Sequence, residues 1–338
     1  MNPIAIYSGS TVIYWSAIII GLAAAAWFCL SYSIYTAHGG RGAAMWLFMP
    51  VAVLLSVLLS RFIHWYCHAE QYLSFWQAMT DYSSGGYCLP GMLLGVTLAA
   101  LLVGRLRFAL STAELFDALA PGASLGIALI RLSALFNSSC RSTILISTPK
   151  FQHLPIGSAL VTSSGGTEYR FATFFVQFLL MLLLTVLVLV FYYKRHKVPM
   201  KRGLQAGHTA LLFLVFYSAM ELVLDSTRYD SSFLRLNGFV SLVQIVSALA
   251  ILGVLIYYSI HSVKANGLCP FHWVLWGGFL ATVGATGALE YLVQRHGGWY
   301  LKCYSFMSLS CLLMAVVVYI MYLTVCKRPW EYREPAEY

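Results

Sequence analysis

Apolar residues in this chain run in long blocks, each near the length a helix needs to cross a bilayer, and polar residues collect in the short stretches between them. Nine blocks can be read, at approximately 11–35, 44–65, 88–104, 114–136, 171–193, 207–227, 236–260, 270–291 and 303–325. In lipid every backbone N–H and C=O must be satisfied within its own segment, so each block is expected to be helical. The predicted architecture is an all-α, polytopic transmembrane bundle of about nine spans. The longest stretches outside the blocks are 66–87 and 137–170, both read as non-helical and rich in Ser, Gly, Thr and Tyr. Function is expected on such connecting segments.

Composition strengthens this picture: 60% of the 338 residues are hydrophobic and 10% charged, against roughly 25% charged in soluble domains. A formal charge of +9 would suit a nucleic-acid binder, but Lys and Arg lie in short loops between apolar blocks. That is an orientation signal, and no nucleic-acid partner is expected. Twelve of the 21 basic residues fall on one side, including Arg41, Arg105, Arg107, the Lys194–Arg202 cluster and the tail, and seven on the other. Because basic residues favour the cytoplasmic face, the N-terminus is expected outside and the C-terminus in the cytoplasm. The eight cysteines form no Cys-x-x-Cys pair, which speaks against a zinc site or disulfide framework. Neither metal nor cofactor is expected. No basic segment precedes the first block, which reads as a retained span.

Ionisable residues inside spans are costly and need partners. Glu221 and Asp225 are four apart and share a face of the sixth span, with Arg228 three residues further on. Arg131 lies in the fourth span, which also carries Glu114, Asp117 and Pro121. Two readings stand for this group: a structural ion pair between Arg131 and Glu221, or a polar substrate cavity. Arg61, near the outer end of the second span, is expected to snorkel to the interface. Gly91 and Gly95 are spaced for close helix approach, and Gly85 and Gly86 begin a turn whose backbone N–H groups suit a lipid headgroup. His64 and His68, among Trp65, Tyr66 and Tyr72, fit an interfacial aromatic belt better than a metal site. No internal repeat supports a transporter.

Several segments together resemble the prolipoprotein diacylglyceryl transferase family. Gly85-Gly86-Tyr87-Cys88-Leu89-Pro90-Gly91-Met92-Leu93-Leu94-Gly95 is similar to that family's Gly-Gly … His-Gly-Gly-Leu-x-Gly stretch. Leu115-Phe116-Asp117-Ala118-Leu119-Ala120-Pro121 and, after Gly126, Arg131-Leu132-Ser133-Ala134-Leu135-Phe136-Asn137 resemble its signature helix. Tyr217 to Arg228 with Asp230, and Gly238-Phe239-Val240-Ser241-Leu242-Val243-Gln244, are similar to its later segments. The likeness covers roughly residues 9–260. Pro90 stands where the family has a histidine, and Glu221 where it has an arginine.

The resemblance implies a multi-pass protein of the bacterial plasma membrane that moves diacylglyceryl from phosphatidylglycerol to a lipobox cysteine of a prolipoprotein. It also implies a seven-helix domain over 1–265, with 266–338 adding two helices and a tail. Arg131, Asn137, Asp225 and Arg228 form the expected catalytic group, joined by Glu221 for its place inside the span, and Arg61, Gly85, Gly86, Gly91, Gly95 and Gln244 the expected lipid-binding one. The arginines would hold phosphate, and Glu221 or Asp225 would serve as base. The alternative is a lipid- or lipoprotein-binding protein on the same scaffold that has lost catalysis.

Overall fold

A computed structural model describes residues 4–8, 11–81, 86–106, 110–136, 142–161, 166–197, 206–229, 231–234, 237–296 and 300–326. A hairpin of β1 (Ile4–Ser8) and β2 (Thr11–Tyr14) opens the chain. The helices α1 (Trp15–Ala37), α2 (Gly42–Cys67), α3 (Phe75–Thr80), α4 (Leu89–Gly104), α5 (Thr112–Ser133) and α6 (Pro149–Gln152) follow. A second hairpin joins β3 (Gly157–Val161) to β4 (Thr167–Phe171), leading into α7 (Thr173–Lys197) and α8 (His208–Leu224). After a third, β5 (Phe233–Leu234) and β6 (Asn237–Ser241), come α9 (Leu242–Asn266), α10 (Pro270–His296) and α11 (Tyr300–Cys326).

Nine of these helices run to 16 residues or more and correspond one to one with the nine apolar blocks. Six are long and apolar enough to cross a membrane by length and composition, and α4 and α8 are shorter apolar helices. Exposed leucines line the outside, such as Leu54, Leu183 and Leu249, as befits a bundle whose solvent is lipid. The protein is an all-α, multi-pass membrane protein.

The sequence reading needs correction at the block ends. Residues 11–14 and 237–241 are strands, so α1 and α9 begin later than the apolar runs suggest. The segments read as non-helical carry α3, α6 and the β3–β4 hairpin. The strands at 11–14 and 237–241 adjoin much stronger apolar runs that absorb them, while α3 and α6, of six and four residues, are too short for a helical period to show.

Packing divides the bundle into two flanks joined by a middle. One core holds Ile34, Met45, Ala52, Ala99 and Leu115 from α1, α2, α4 and α5. A second holds Val215, Ile251, Phe279, Met307 and Met314 from α8 to α11. The middle joins Ile127 of α5, Met181 of α7 and Phe213 of α8. Thus α10 and α11 are built into one core with α8 and α9.

Small residues permit the tightest crossings. A Cβ on Gly91 would lie 2.6 Å from the Leu59 carbonyl oxygen, and one on Gly95 would meet the Ser56 backbone. This closeness lets Ser60 accept from the Cys88 amide at 2.7 Å and donate to the Cys88 carbonyl at 2.8 Å, satisfying the start of α4 from the side of α2. Gly122 and Gly126 do the same for α5 against Trp27 of α1.

Asp117 is fully buried in α5. Its carboxylate accepts from the Gly207 amide at 2.6 Å and the Ala210 amide at 2.9 Å. A side chain from a neighbouring helix therefore supplies the cap of α8, whose first N–H groups have no partner of their own.

Candidate functional site

At the ends of α5 and α8, beside the start of α7, three polar side chains meet inside the bundle. Arg131 Nη2 donates to Glu221 Oε1 at 3.0 Å, and Gln177 Nε2 donates to Glu221 Oε2 at 3.1 Å. Arg131 is 9% exposed, Glu221 2% and Gln177 2%. The ion pair read from the sequence is present and buried. Arg131 Nε has no hydrogen-bond partner among the described residues, and neither does the Tyr217 hydroxyl one turn before Glu221.

One turn beyond Glu221, buried Asp225 receives the Ser241 hydroxyl on Oδ2, while Arg228 Nη1 stands 3.8 Å from Oδ1. Ser241 is also the N-cap of α9: it accepts from the Gln244 amide at 3.1 Å, and Gln244 Oε1 accepts from the Ser241 amide at 3.0 Å. Gln244 Nε2 reaches the Leu222 carbonyl at 3.0 Å. A capping box thereby ties α9 to α8 and aims a hydroxyl at the carboxylate.

Thr227 draws in the segment before α6. Its carbonyl accepts from the Ser142 hydroxyl at 2.7 Å and the Thr143 amide at 3.0 Å, and its own hydroxyl meets that of Thr173 at 2.7 Å. Ser142 and Arg228 form an isolated antiparallel bridge. The backbone around Arg228 is therefore held from both sides.

A cavity of about 160 Å³ adjoins this group between α4, α8 and α9, with Pro90, Tyr217, Ser218 and Ser247 among its walls. Arg131, Glu221, Asp225, Arg228 and Gln244 are thus gathered at one end of the bundle. Asn137 and Gly85 lie outside the described residues, as does Asp230.

Arg61 does not snorkel. It is 1% exposed, donating through Nε to the Ala78 carbonyl at 2.7 Å and through Nη2 to the Ala78 and Asp81 carbonyls. The unpaired carbonyls at the end of α3 offer the guanidinium a better site than the interface. Gly91 and Gly95 face α2. Gly86 takes a positive φ of 80° beside Tyr72 and His64, a conformation that suits glycine. The His64 and His68 rings stack at 4.4 Å, and among the described residues no three His, Cys, Asp or Glu side chains gather as a metal site would require.

Sequence reasoning singled out neither Gln177 nor Ser241 for these contacts. For Ser241 the signal was available, since Ser241-Leu242-Val243-Gln244 is a capping-box pattern. Gln177 lies in an otherwise apolar run of α7, where a lone amide is itself a marker.

The model of the prolipoprotein diacylglyceryl transferase family matches residues 3–260. The chain belongs to that family. A phosphatidylglycerol–prolipoprotein diacylglyceryl transferase of Trichormus variabilis (strain ATCC 29413 / PCC 7937) is 29% identical over 188 residues, covering 54% of this chain and 62% of that protein. The match thus spans less than two thirds of the relative's length. The family match reaches every described residue of the polar group and ends within α9, leaving α10 and α11 beyond it.

Proposed function

We propose that the protein transfers diacylglyceryl from phosphatidylglycerol to the cysteine thiol of a prolipoprotein in the bacterial plasma membrane. The observation that carries this reading is the buried polar group at the ends of α5 and α8, set within a family match that runs from residue 3 to 260. The reaction breaks the bond between the glyceryl methylene carbon and its phosphate oxygen and forms a carbon–sulfur bond. The electron pair leaves with glycerol phosphate, and the thiol gives up its proton.

Two demands follow, for a cation at the departing phosphate and an acceptor for the thiol proton. Arg131 commits one donor to Glu221, and its Nε has no partner among the described residues. Arg228, 3.8 Å from Asp225, offers a second guanidinium. Asp225, already accepting from Ser241, is the assigned proton acceptor. The Tyr217 hydroxyl would donate to a headgroup oxygen from the wall of the 160 Å³ cavity.

Two observations favour the second reading, a lipid- or lipoprotein-binding protein without catalysis. Glu221 neutralises Arg131 where the resemblance calls for an arginine, and Pro90 lines the same cavity as Tyr217 where it calls for a histidine.

The test is direct. Purified protein is incubated with phosphatidylglycerol and a lipobox peptide, and diacylglyceryl-peptide is measured by mass spectrometry. Product expected from the parent protein, and lost in Arg228→Ala and Asp225→Asn, supports transfer. Retained phosphatidylglycerol with no product would replace transfer by binding.

A further inference from the structure

A second cavity borders the polar group just assigned at Leu222 and Gln244 and extends away from it. It is a cleft of about 430 Å³ between α9 and α10, floored by Leu222 of α8 and by Met307 and Met314 of α11. That volume falls within the range of small-molecule and cofactor sites. The two walls are tied at one end, where Ser262 meets His272 at 2.9 Å and Trp276 donates to Ser259 at 2.9 Å. From there they part, and Leu249, Leu252, Leu280 and Val283 stand exposed along the opening.

The cleft runs from Gln244 to Leu252 on one wall and from Phe279 to Glu290 on the other. At 1.5 Å rise per residue these stretches are roughly 12 and 16 Å long, about half of a hydrocarbon core some 30 Å thick. Its length therefore matches the chains of a single leaflet.

Apart from its wide end the cleft is almost wholly apolar. There Glu290, only 5% exposed, faces it. The carboxylate accepts from the Ser226 hydroxyl at 2.8 Å and from Gln294 Nε2 at 2.7 Å, and Tyr304 holds Ser226 at 3.2 Å. Among the described residues it has no cationic partner. An ionised carboxylate has about four acceptor positions, and Ser226 and Gln294 supply one proton each. A buried charge left with spare acceptors and no counter-ion is costly. An ammonium group at this point would supply both the missing donors and the missing charge.

We infer that the α9–α10 cleft is a second lipid site, which takes a phospholipid with a protonated primary amine in its headgroup. The acyl chain lies along Leu249, Leu252, Leu280 and Val283, and the ammonium bonds to Glu290. Gln244 of the polar group borders the cleft, but its α10 wall lies beyond the family match, and the anionic head of phosphatidylglycerol is the wrong sign for Glu290. Ser226, next to Asp225 in sequence, connects the two sites.

The test uses the full chain in nanodiscs. Phosphatidylethanolamine with a diazirine in its acyl chain is irradiated, the protein is digested, and labelled peptides are mapped. Phosphatidylglycerol carrying the same group is the comparison, and peptides from α1 and α2 give the background of lipid contact. Labelling by the ethanolamine lipid is expected to concentrate on α9 and α10. It should fall about tenfold in Glu290→Gln, as loss of one charge-assisted hydrogen bond predicts. Gly287→Phe, at a position where an added Cβ meets nothing within 4 Å, fills the cleft and is expected to remove the label. Equal labelling by both lipids overturns the inference, as does an unchanged Glu290→Gln. Label that survives Gly287→Phe overturns it regardless of how Glu290→Gln behaves.

Discussion

Replacing Glu221 by Leu isolates what the buried pair contributes. At 3.0 Å and an effective dielectric constant of about 20, the attraction is about 5–6 kcal/mol. Desolvation of both groups offsets much of it. Glu221→Leu leaves the Arg131 charge buried and also removes the acceptor of Gln177, so a loss of about 3–5 kcal/mol is expected. Arg131→Met should cost about as much, because Glu221 then keeps only a neutral donor. The double variant removes both charges and is expected to recover about 2–3 kcal/mol relative to the sum of the single losses. Reversible unfolding of the three variants in mixed micelles, read as a double-mutant cycle, measures this coupling. A coupling below about 0.5 kcal/mol would refute the view that the two charges hold α5 and α8 together.

Other consequences are as open to measurement. Asp117→Ala removes the acceptor for two amides at the start of α8 and should lower stability by about 1–3 kcal/mol in the same unfolding assay; an unaltered midpoint would mean that solvent or other groups cap α8 instead. Gly91→Ala pushes a methyl into the backbone of α2 and is expected to cost about 1–3 kcal/mol, whereas Gly287→Ala, in open space, should leave the melting temperature in place. Arg61→Met frees the carbonyls of Ala78 and Asp81, so limited proteolysis should cut faster within 75–81 while the helices stay intact.

What the sequence made legible follows from the strength of each signal. The nine apolar runs are long and the hydrophobic cost of misplacing them is large, so their number and order carry through to the structure. The hairpins contribute two to five residues per strand and lead into helices of 23 to 25 residues, whose apolar runs absorb them. Glu221 and Arg131 were legible as partners because two opposite charges within spans have few other solutions. Arg61 was misread because the sequence does not show the bare carbonyls at the end of α3 that draw it inward. Asp117 is a costly residue within a span, yet burial suits it: its partners are amides of a helix some ninety positions away, a relation no local pattern carries.

Those two contacts between α5 and α8 have a mechanical consequence. Asp117 grips α8 at its first turn and Arg131 grips it near its last, so the two helices run in the same direction and are bolted at both ends. A slide along their common axis, or a twist of one about the other, would have to shear both fastenings together. The pair is therefore the stator of the molecule. A rearrangement of the bundle is expected to swing the outer helices about it, and α9 and α10, tied at one end and parted at the other, have the shape of such a hinge.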